Sequence, residues 1–431
     1  MSSTIHVARR LVLPAIIASS RIVFADDALD IVQGDRIQAE IDALRMEIDD
    51  LRDERNEASL DATRRTEIRR LITDVVADAE MRTNRIDRSW NVIASADGDF
   101  TLEADVIMQY DWVLNSTSSE PTRYGFSLDT LWLSLGGTMF GPKWSYGVCA
   151  AVGSDGTFIP EYAYVQHQFE DGLFVQAGIL SEYFSIEQAI NPNEQLGTSL
   201  SFVAGQFDAG QPEGILVGRQ FDQWRFWSTL SNGWGQSYID PLENQRTGVM
   251  TRVELKPFGD WNTLYMFNPY PGLVDRGLLF GFGGSFDWGD YAAGTGRSIS
   301  GDATRATADV SWQQDGVGLM AAAYYQDVPV SQTDGGRRWA AVAQGAFFPV
   351  STWDVYARGE WGAVENGSRS DFAMATIGTS WIPAGDSRLK VVFELVRSWG
   401  STADWSVDGD IGILSTDGDQ TVFRTQLQFA F

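Results

Sequence analysis

Cysteine is nearly absent from this chain. With Cys149 as its single copy, no intrachain disulfide and no thiolate metal cluster can form. Histidine is almost as scarce. His6 and His167 are the two copies, and an N-terminal leader would carry His6 away, so a Ser-His nucleophilic pair would rest on His167 alone. No carboxylate-histidine metal spacing occurs either. The expectation is therefore no enzyme, no catalytic residue, no metal and no cofactor. Positive charge is in deficit, with 32 Lys and Arg against 58 Asp and Glu and a formal net charge of −26. That balance argues against nucleic acid as a partner, because affinity for phosphate backbones rests on Lys and Arg. Long apolar runs are missing as well. A membrane-spanning helix needs about 20 consecutive apolar residues, and none exists here, whereas a transmembrane barrel disperses its apolar residues by alternation.

What is present points to strands. Aromatic residues make up 12% of the chain, with 16 Trp and 43 Gly, a mixture that suits many strands with interfacial aromatic side chains. The last eleven residues alternate strictly from Thr421 to Phe431, with Phe423, Leu427, Phe429 and Phe431 on one face and Arg424, Gln426 and Gln428 on the other. A terminal strand of a soluble sandwich would alternate too. The rest of the chain separates the two readings. From Asp99 onward alternating segments recur between Gly, Asp, Pro and Asn clusters. In the first, Leu102, Ala104, Val106, Met108, Tyr110, Trp112 and Leu114 oppose Glu103, Asp105, Gln109 and Asp111. Later, Trp353, Val355, Ala357, Gly359 and Trp361 oppose Asp354, Arg358 and Glu360. An Arg or Lys on the lipid face at mid-membrane costs about 2–4 kcal/mol, so these charges should point inward, into a wet interior. Such segments run from 100–114 to 420–431 and total about sixteen, the even count that a bacterial barrel requires. Reaching it means treating Trp261 to Asn268 as part of a long connection on the short-turn side. The fold class expected is all-β: an antiparallel transmembrane barrel of about sixteen strands over 89–431, preceded by a short helical coiled coil over 26–88.

The N-terminus reads as a secretory signal over 1–25. Arg9 and Arg10 precede an apolar run from Leu11 to Ala18, and Val23-Phe24-Ala25 ends in the small residue expected before cleavage. The alternative, a cytoplasmic helix, would be interrupted by Pro14 where it is most apolar. Between Asp26 and Arg88 the period changes to about 3.5, since Ile37, Ile41, Leu44, Ile48 and Leu51 are spaced four, three, four, three. This is a candidate oligomerisation seam. A single amphipathic helix packed on a neighbour would also satisfy so few heptads.

Two constellations bear on transport. After the fifth strand comes the longest strand-free stretch, about Phe184 to Pro212, and a loop of that length is usually functional or disordered. It carries Glu187, Glu194 and Asp208, with Glu213 just after, and no Lys or Arg occurs from Leu180 to Gly218. Folded into the lumen, it would offer a carboxylate-lined constriction; left outside, it would be a solvated acidic loop. Phe184, Ile186, Leu200, Phe202, Val203 and Phe207 favour docking, because exposure would leave them wet. Opposite it, the wall offers Arg219, Arg225, Arg252, Arg305, Arg358 and Arg424. These arginines would either set up a transverse field across the constriction or pair with cross-strand carboxylates such as Glu254 and Glu360. His167 shares the parity of Ala163, Val165 and Phe169, which fits an aromatic girdle better than catalysis.

The order of parts resembles the phosphate-selective porin O/P family, in its branch with an N-terminal coiled coil. The matching stretches are Ala-Asp-Gly-Asp-Phe-Thr-Leu at Ala96 to Leu102, Leu-Ile-Thr-Asp-Val-Val-Ala-Asp-Ala at Leu71 to Ala79, Glu-Leu-Lys-Pro-Phe-Gly-Asp-Trp at Glu254 to Trp261, and Thr-Ala-Asp-Val-Ser-Trp at Thr307 to Trp312. The terminal Phe431 is similar to the signal read by the barrel-assembly machinery. The resemblance implies a trimeric outer-membrane porin for small ions and solutes, surrounded by lipid, whose third loop narrows the pore. It does not carry phosphate selectivity over, since the family's basic constriction is replaced here by an acidic loop. The periplasmic coiled coil would join protomers or reach the cell wall. A plugged barrel acting as a structural tether is the competing reading.

Overall fold

The computed structural model describes residues 92–431 apart from 96–97, 153–156, 182, 209, 234–245, 273–275, 290, 293–297, 300, 330–335, 366–368 and 406–411. The signal and the seam from Ile37 to Leu51 lie outside the described residues. Sixteen antiparallel strands close on themselves. They are β1 (Thr101–Thr117), β2 (Arg123–Thr138), β3 (Trp144–Val152), β4 (Phe158–Gln168), β5 (Leu173–Ile179), β6 (Glu213–Gln220), β7 (Trp224–Ser231) and β8 (Thr247–Phe258), followed by β9 (Gly277–Trp288), β10 (Ala303–Gln314), β11 (Val317–Val328), β12 (Gly336–Val350), β13 (Trp353–Glu365), β14 (Arg369–Trp381), β15 (Leu389–Gly400) and β16 (Gln420–Ala430). Each strand pairs with its chain neighbours, and β16 pairs with β1 from Gln420↔Thr117 to Ala430↔Ile107. The described strands thereby form a closed ladder with no open edge among them, the condition for strands surrounded by hydrocarbon.

The chain terminus belongs to this closure. Phe431 continues the ladder, its N–H donating to the Val106 carbonyl at 2.9 Å and its carbonyl accepting from the Val106 N–H at 2.7 Å. Further along the same edge of β1, the short segment Val92–Ala94 pairs with Thr101–Glu103.

Alternation sorts the two faces as the sequence requires. Outward lie Tyr124, Phe126, Leu133, Val148, Leu230, Phe282, Leu319 and Ile377, all exposed. Exposed tryptophans form two rings. Trp144, Trp224, Trp353 and Trp381 lie near the short-turn rim, and Trp288, Trp339, Trp361 and Trp399 lie toward the other. The rims differ as a spanning barrel's should. Connections such as 315–316 and 351–352 are tight, whereas 180–212 and 401–419 are long.

One expectation needs correction, that of a uniformly wet interior. A dry apolar cluster fills much of the lumen, joining Phe184, Ile186, Leu196, Phe202, Val203 and Phe207 of the connection 180–212 to wall residues including Met250, Leu279, Met320, Tyr356, Phe372 and Val396. The physical reason is coverage: an inserted loop with this many apolar side chains is stable only if the wall beneath it is apolar as well. The connection 259–276, expected as non-strand, contains the short 3-10 turn Thr263–Tyr265. It also joins this cluster, through Trp261, Leu264 and Phe267.

Candidate functional site: a passage beside the third loop

The connection 180–212 enters the barrel and is pinned along one side of the wall. Its shape is set first by its own residues. The Glu187 carboxylate accepts from the Ser201 N–H at 2.6 Å and the Ser201 hydroxyl at 2.8 Å. The Ser201 Oγ in turn caps a five-residue helix, α1 (Phe202–Gln206), by accepting from the Ala204 N–H at 3.0 Å. Wall side chains then hold the loop's backbone. Asp309 accepts from the Ile186 N–H at 3.2 Å, Glu360 from the Val203 N–H at 2.8 Å, and Lys390 donates to the Gln195 carbonyl at 2.7 Å. Gln428 and Gln426 donate to the Asn193 and Thr198 carbonyls at 3.1 and 2.6 Å. Gly197 is required where the loop passes closest to the wall, because a Cβ there would lie 2.6 Å from Glu394 Oε2.

Three of the six wall arginines, Arg252, Arg358 and Arg424, lie behind this loop. Arg252 is fully buried and pairs with Asp309 at 2.7 Å and Glu254 at 2.8 Å, and it also donates to the Phe184 carbonyl at 3.2 Å. Arg305 pairs with Asp287 at 2.5 Å, and Arg424 pairs with Glu394. Arg358 donates to Gln344 Oε1 at 2.8 Å and to the Ser199 carbonyl at 3.2 Å. Among the six, Arg225 and Arg219 border open space. Register puts Arg219 on the outward parity with Ile215 and Val217, at the turn rim, where it pairs with Asp171 at 3.3 Å. Arg225 pairs with Glu254 at 2.7 Å and stacks over Trp261 and Tyr265, 4.3 and 4.4 Å from the ring centres.

The open part of the lumen runs between the loop and the wall from β1 to β7. A cavity of about 620 Å³ lies against Asp129, Trp132, Glu161 and Tyr162 of the wall and Asn191, Ser199, Asp208 and Gln211 of the loop. A second, of about 600 Å³, continues toward the turn rim along Tyr164, Phe174, Gln176, Trp227 and Tyr265. The two share Tyr162, Ser181, Tyr183, Ala189 and Asn191, so they form one passage. No Lys or Arg lines the first cavity among the described residues.

The wall carboxylates arrive there by a specific device. In the β1–β2 ladder Gln109 pairs with Thr130 and Tyr110 with Leu128, which leaves Asp129 as the extra residue. In the β3–β4 ladder Cys149 pairs with Tyr162 and Ala150 with Pro160, which leaves Glu161. Both are β-bulges, and a bulge re-aims the side chain of its unpaired residue. Asp129–Thr130 and Glu161–Tyr162 thus turn adjacent residues to the same lumen. Glu161 also meets the loop, accepting from Gln211 Nε2 at 2.8 Å.

At the turn rim the connection 259–276 folds inward and meets the loop. The Phe267 N–H donates to the Glu194 carbonyl at 3.2 Å, and Asn268 Nδ2 to the Gln195 carbonyl at 3.0 Å. Glu194 borders the second cavity. Burial pushes its carboxyl above the ordinary range, opposed by the Ser387 hydroxyl and the Lys390 ammonium.

Of the loop acids expected at a constriction, Asp208 and Glu194 border the passage, while Glu187 is buried as the loop's internal clamp. Glu213 sits on the outward parity at the loop rim, accepting from Asn232 Nδ2 at 3.3 Å. The sequence did not single out Asp129 and Glu161, because strict alternation assigns a bulged residue to the wrong face. It also missed the inward connection 259–276, whose Trp261, Leu264 and Phe267 carry the same signal as the third loop: too many apolar residues for an exposed turn. His167 faces outward between two rings, 4.4 Å from Trp144 and 4.7 Å from Phe169 by ring centres.

Neither a protein-family model nor a curated protein sequence matches the chain. Solved structures do match in fold. The barrel is similar to an anion-selective porin from Comamonas acidovorans, with TM-score 0.53, 13% identity, and 77% of this chain and 100% of that chain covered. It is similar to the outer membrane channel DcaP of Acinetobacter baumannii, with TM-score 0.50, 10% identity, and coverage of 79% and 99%. It is also similar to the trimer form of OmpT, an outer membrane protein of Vibrio cholerae, with TM-score 0.50, 12% identity, and coverage of 77% and 99%. The fold is that of the outer-membrane porin barrels. The likeness to the phosphate-selective O/P branch rests on the sequence motifs alone.

Proposed function

We propose that this protein is a bacterial outer-membrane porin through which small hydrophilic solutes diffuse passively, with a preference for cations. The carrying observation is the passage beside the third loop, where Asp129 and Glu161 on bulges face Asp208 across a cavity of about 620 Å³ free of Lys and Arg among its described lining. A water-filled channel lined by one sign of charge concentrates the opposite sign. The outward apolar band and two tryptophan rings match a bilayer on the outside of such a channel. The likeness to an anion-selective porin concerns the barrel; the lining of the first cavity here has the opposite sign. We extend the same reading to a trimer in lipid, with the seam from Ile37 to Leu51 joining protomers or reaching the cell wall from the periplasm.

The tether reading has one observation in its favour, the dry cluster that fills the other half of the lumen. Planar-bilayer recording on the full chain separates the two. The porin reading expects discrete conductance steps, and a tether gives none.

A further inference from the structure

We propose that the passage selects small substituted ammonium ions, and that Tyr162 and Tyr164 bind them in transit. This rests on the porin reading and names its solute class. Three observations converge on it. Asp129, Glu161 and Asp208 favour a cation at the wide cavity, and two of the three are put there by bulges. Beyond them the lining turns aromatic, with Tyr162, Tyr164, Phe174, Tyr183 and Trp227 along the second cavity.

The aromatic rings lie along the wall instead of crossing the lumen. A Cβ on Gly147 would stand 2.8 Å from Cε1 and Cζ of Tyr164, so that ring covers the glycine and turns its other face to the passage. Phe174 covers Gly218 in the same way. Tyr162 and Tyr164 have ring centres 5.7 Å apart and together make a continuous π surface. An aromatic face carries negative potential and attracts a cation placed over it. A bare alkali ion keeps its water, whereas an N-alkylated ammonium holds water weakly at its carbon shell and can rest on a ring. The cavity already holds one organic cation in this manner, the Arg225 guanidinium over Trp261, Tyr265 and Trp227.

The test is block of potassium current through single channels of the full protein by choline and by its uncharged isostere 3,3-dimethyl-1-butanol. Choline is expected to block in a voltage-dependent way at a concentration about tenfold lower than the isostere, the ratio that one cation–π contact supports. Tyr162→Leu should raise the half-blocking concentration of choline severalfold. Equal block by the two compounds, or choline block unchanged in Tyr162→Leu, overturns the proposal and leaves the porin reading intact. If the protein opens no channels, the porin reading fails. Tryptophan fluorescence in detergent then decides the site: a choline-dependent change lost in Tyr162→Leu supports it, and no change overturns it.

Discussion

At the residue scale the interior is governed by charges that have left water in pairs. Arg252 sits between Asp309 and Glu254 with no exposed surface, and its guanidinium passes so close to Gly281 that a Cβ there would collide with it. Removing one member of a buried pair strands the other, at a cost of about 3–5 kcal/mol. Arg252→Met is therefore expected to lower thermal stability in detergent by roughly that amount, read as loss of heat-resistant mobility on gels; an unchanged transition would contradict the pairing. The inward parity of Arg252, Arg358 and Arg424 was legible from alternation, and so was the option that they pair with carboxylates. That they lie behind the loop was not, because parity says which face a side chain takes and nothing about what covers it. Asp129 and Glu161 were illegible for a different reason: an extra residue in a ladder shifts the parity beyond it, and a reading that carries one parity through the strand assigns the bulged residue to the wrong face. The variant Asp129→Asn with Glu161→Gln is expected to reduce cation preference strongly with only a modest change in conductance, measured from reversal potentials under a salt gradient.

At the element scale, strands were the most legible feature. Period-two alternation with charges on one parity is dictated by the cost of charge against hydrocarbon, and it located the sixteen strands and the non-strand stretch from Trp261 to Asn268. The connections were less legible, since the third loop and the segment 259–276 take their shape from each other and from the wall. Their contact at Glu194, Gln195, Phe267 and Asn268 leads to a prediction. Phe267→Ala with Asn268→Ala should loosen the loop, increasing open-channel current noise without altering strand content by circular dichroism. Replacing residues 188–206 with a short Gly-Ser link should raise single-channel conductance severalfold. A third prediction concerns pH. Because the Glu194 carboxyl titrates above the ordinary carboxylate range, it gains its proton before exposed carboxylates as pH falls. Cation preference should therefore begin to decline above pH about 4.3, the usual Glu value, and Glu194→Gln should lessen that early part of the decline in a pH series of reversal potentials.

At the scale of the whole molecule, two asymmetries define the protein. One is between outside and inside: an apolar band between tryptophan rings surrounds a lumen of charges and amides. The other is within the lumen, where β8 to β16 with the third loop and the inward turn-side connection make a dry half, and β1 to β7 bound the passage. The net charge of −26 gave the sign of the expected partner, and the structure localises that sign at bulges on β2 and β4 facing Asp208. The direct measurement is the zero-current potential of the reconstituted full chain across a planar bilayer with a tenfold KCl gradient. A potential of the sign set by potassium flow, collapsing toward zero in the Asp129→Asn, Glu161→Gln variant, is predicted. A chloride-directed potential in the unaltered protein would contradict the account.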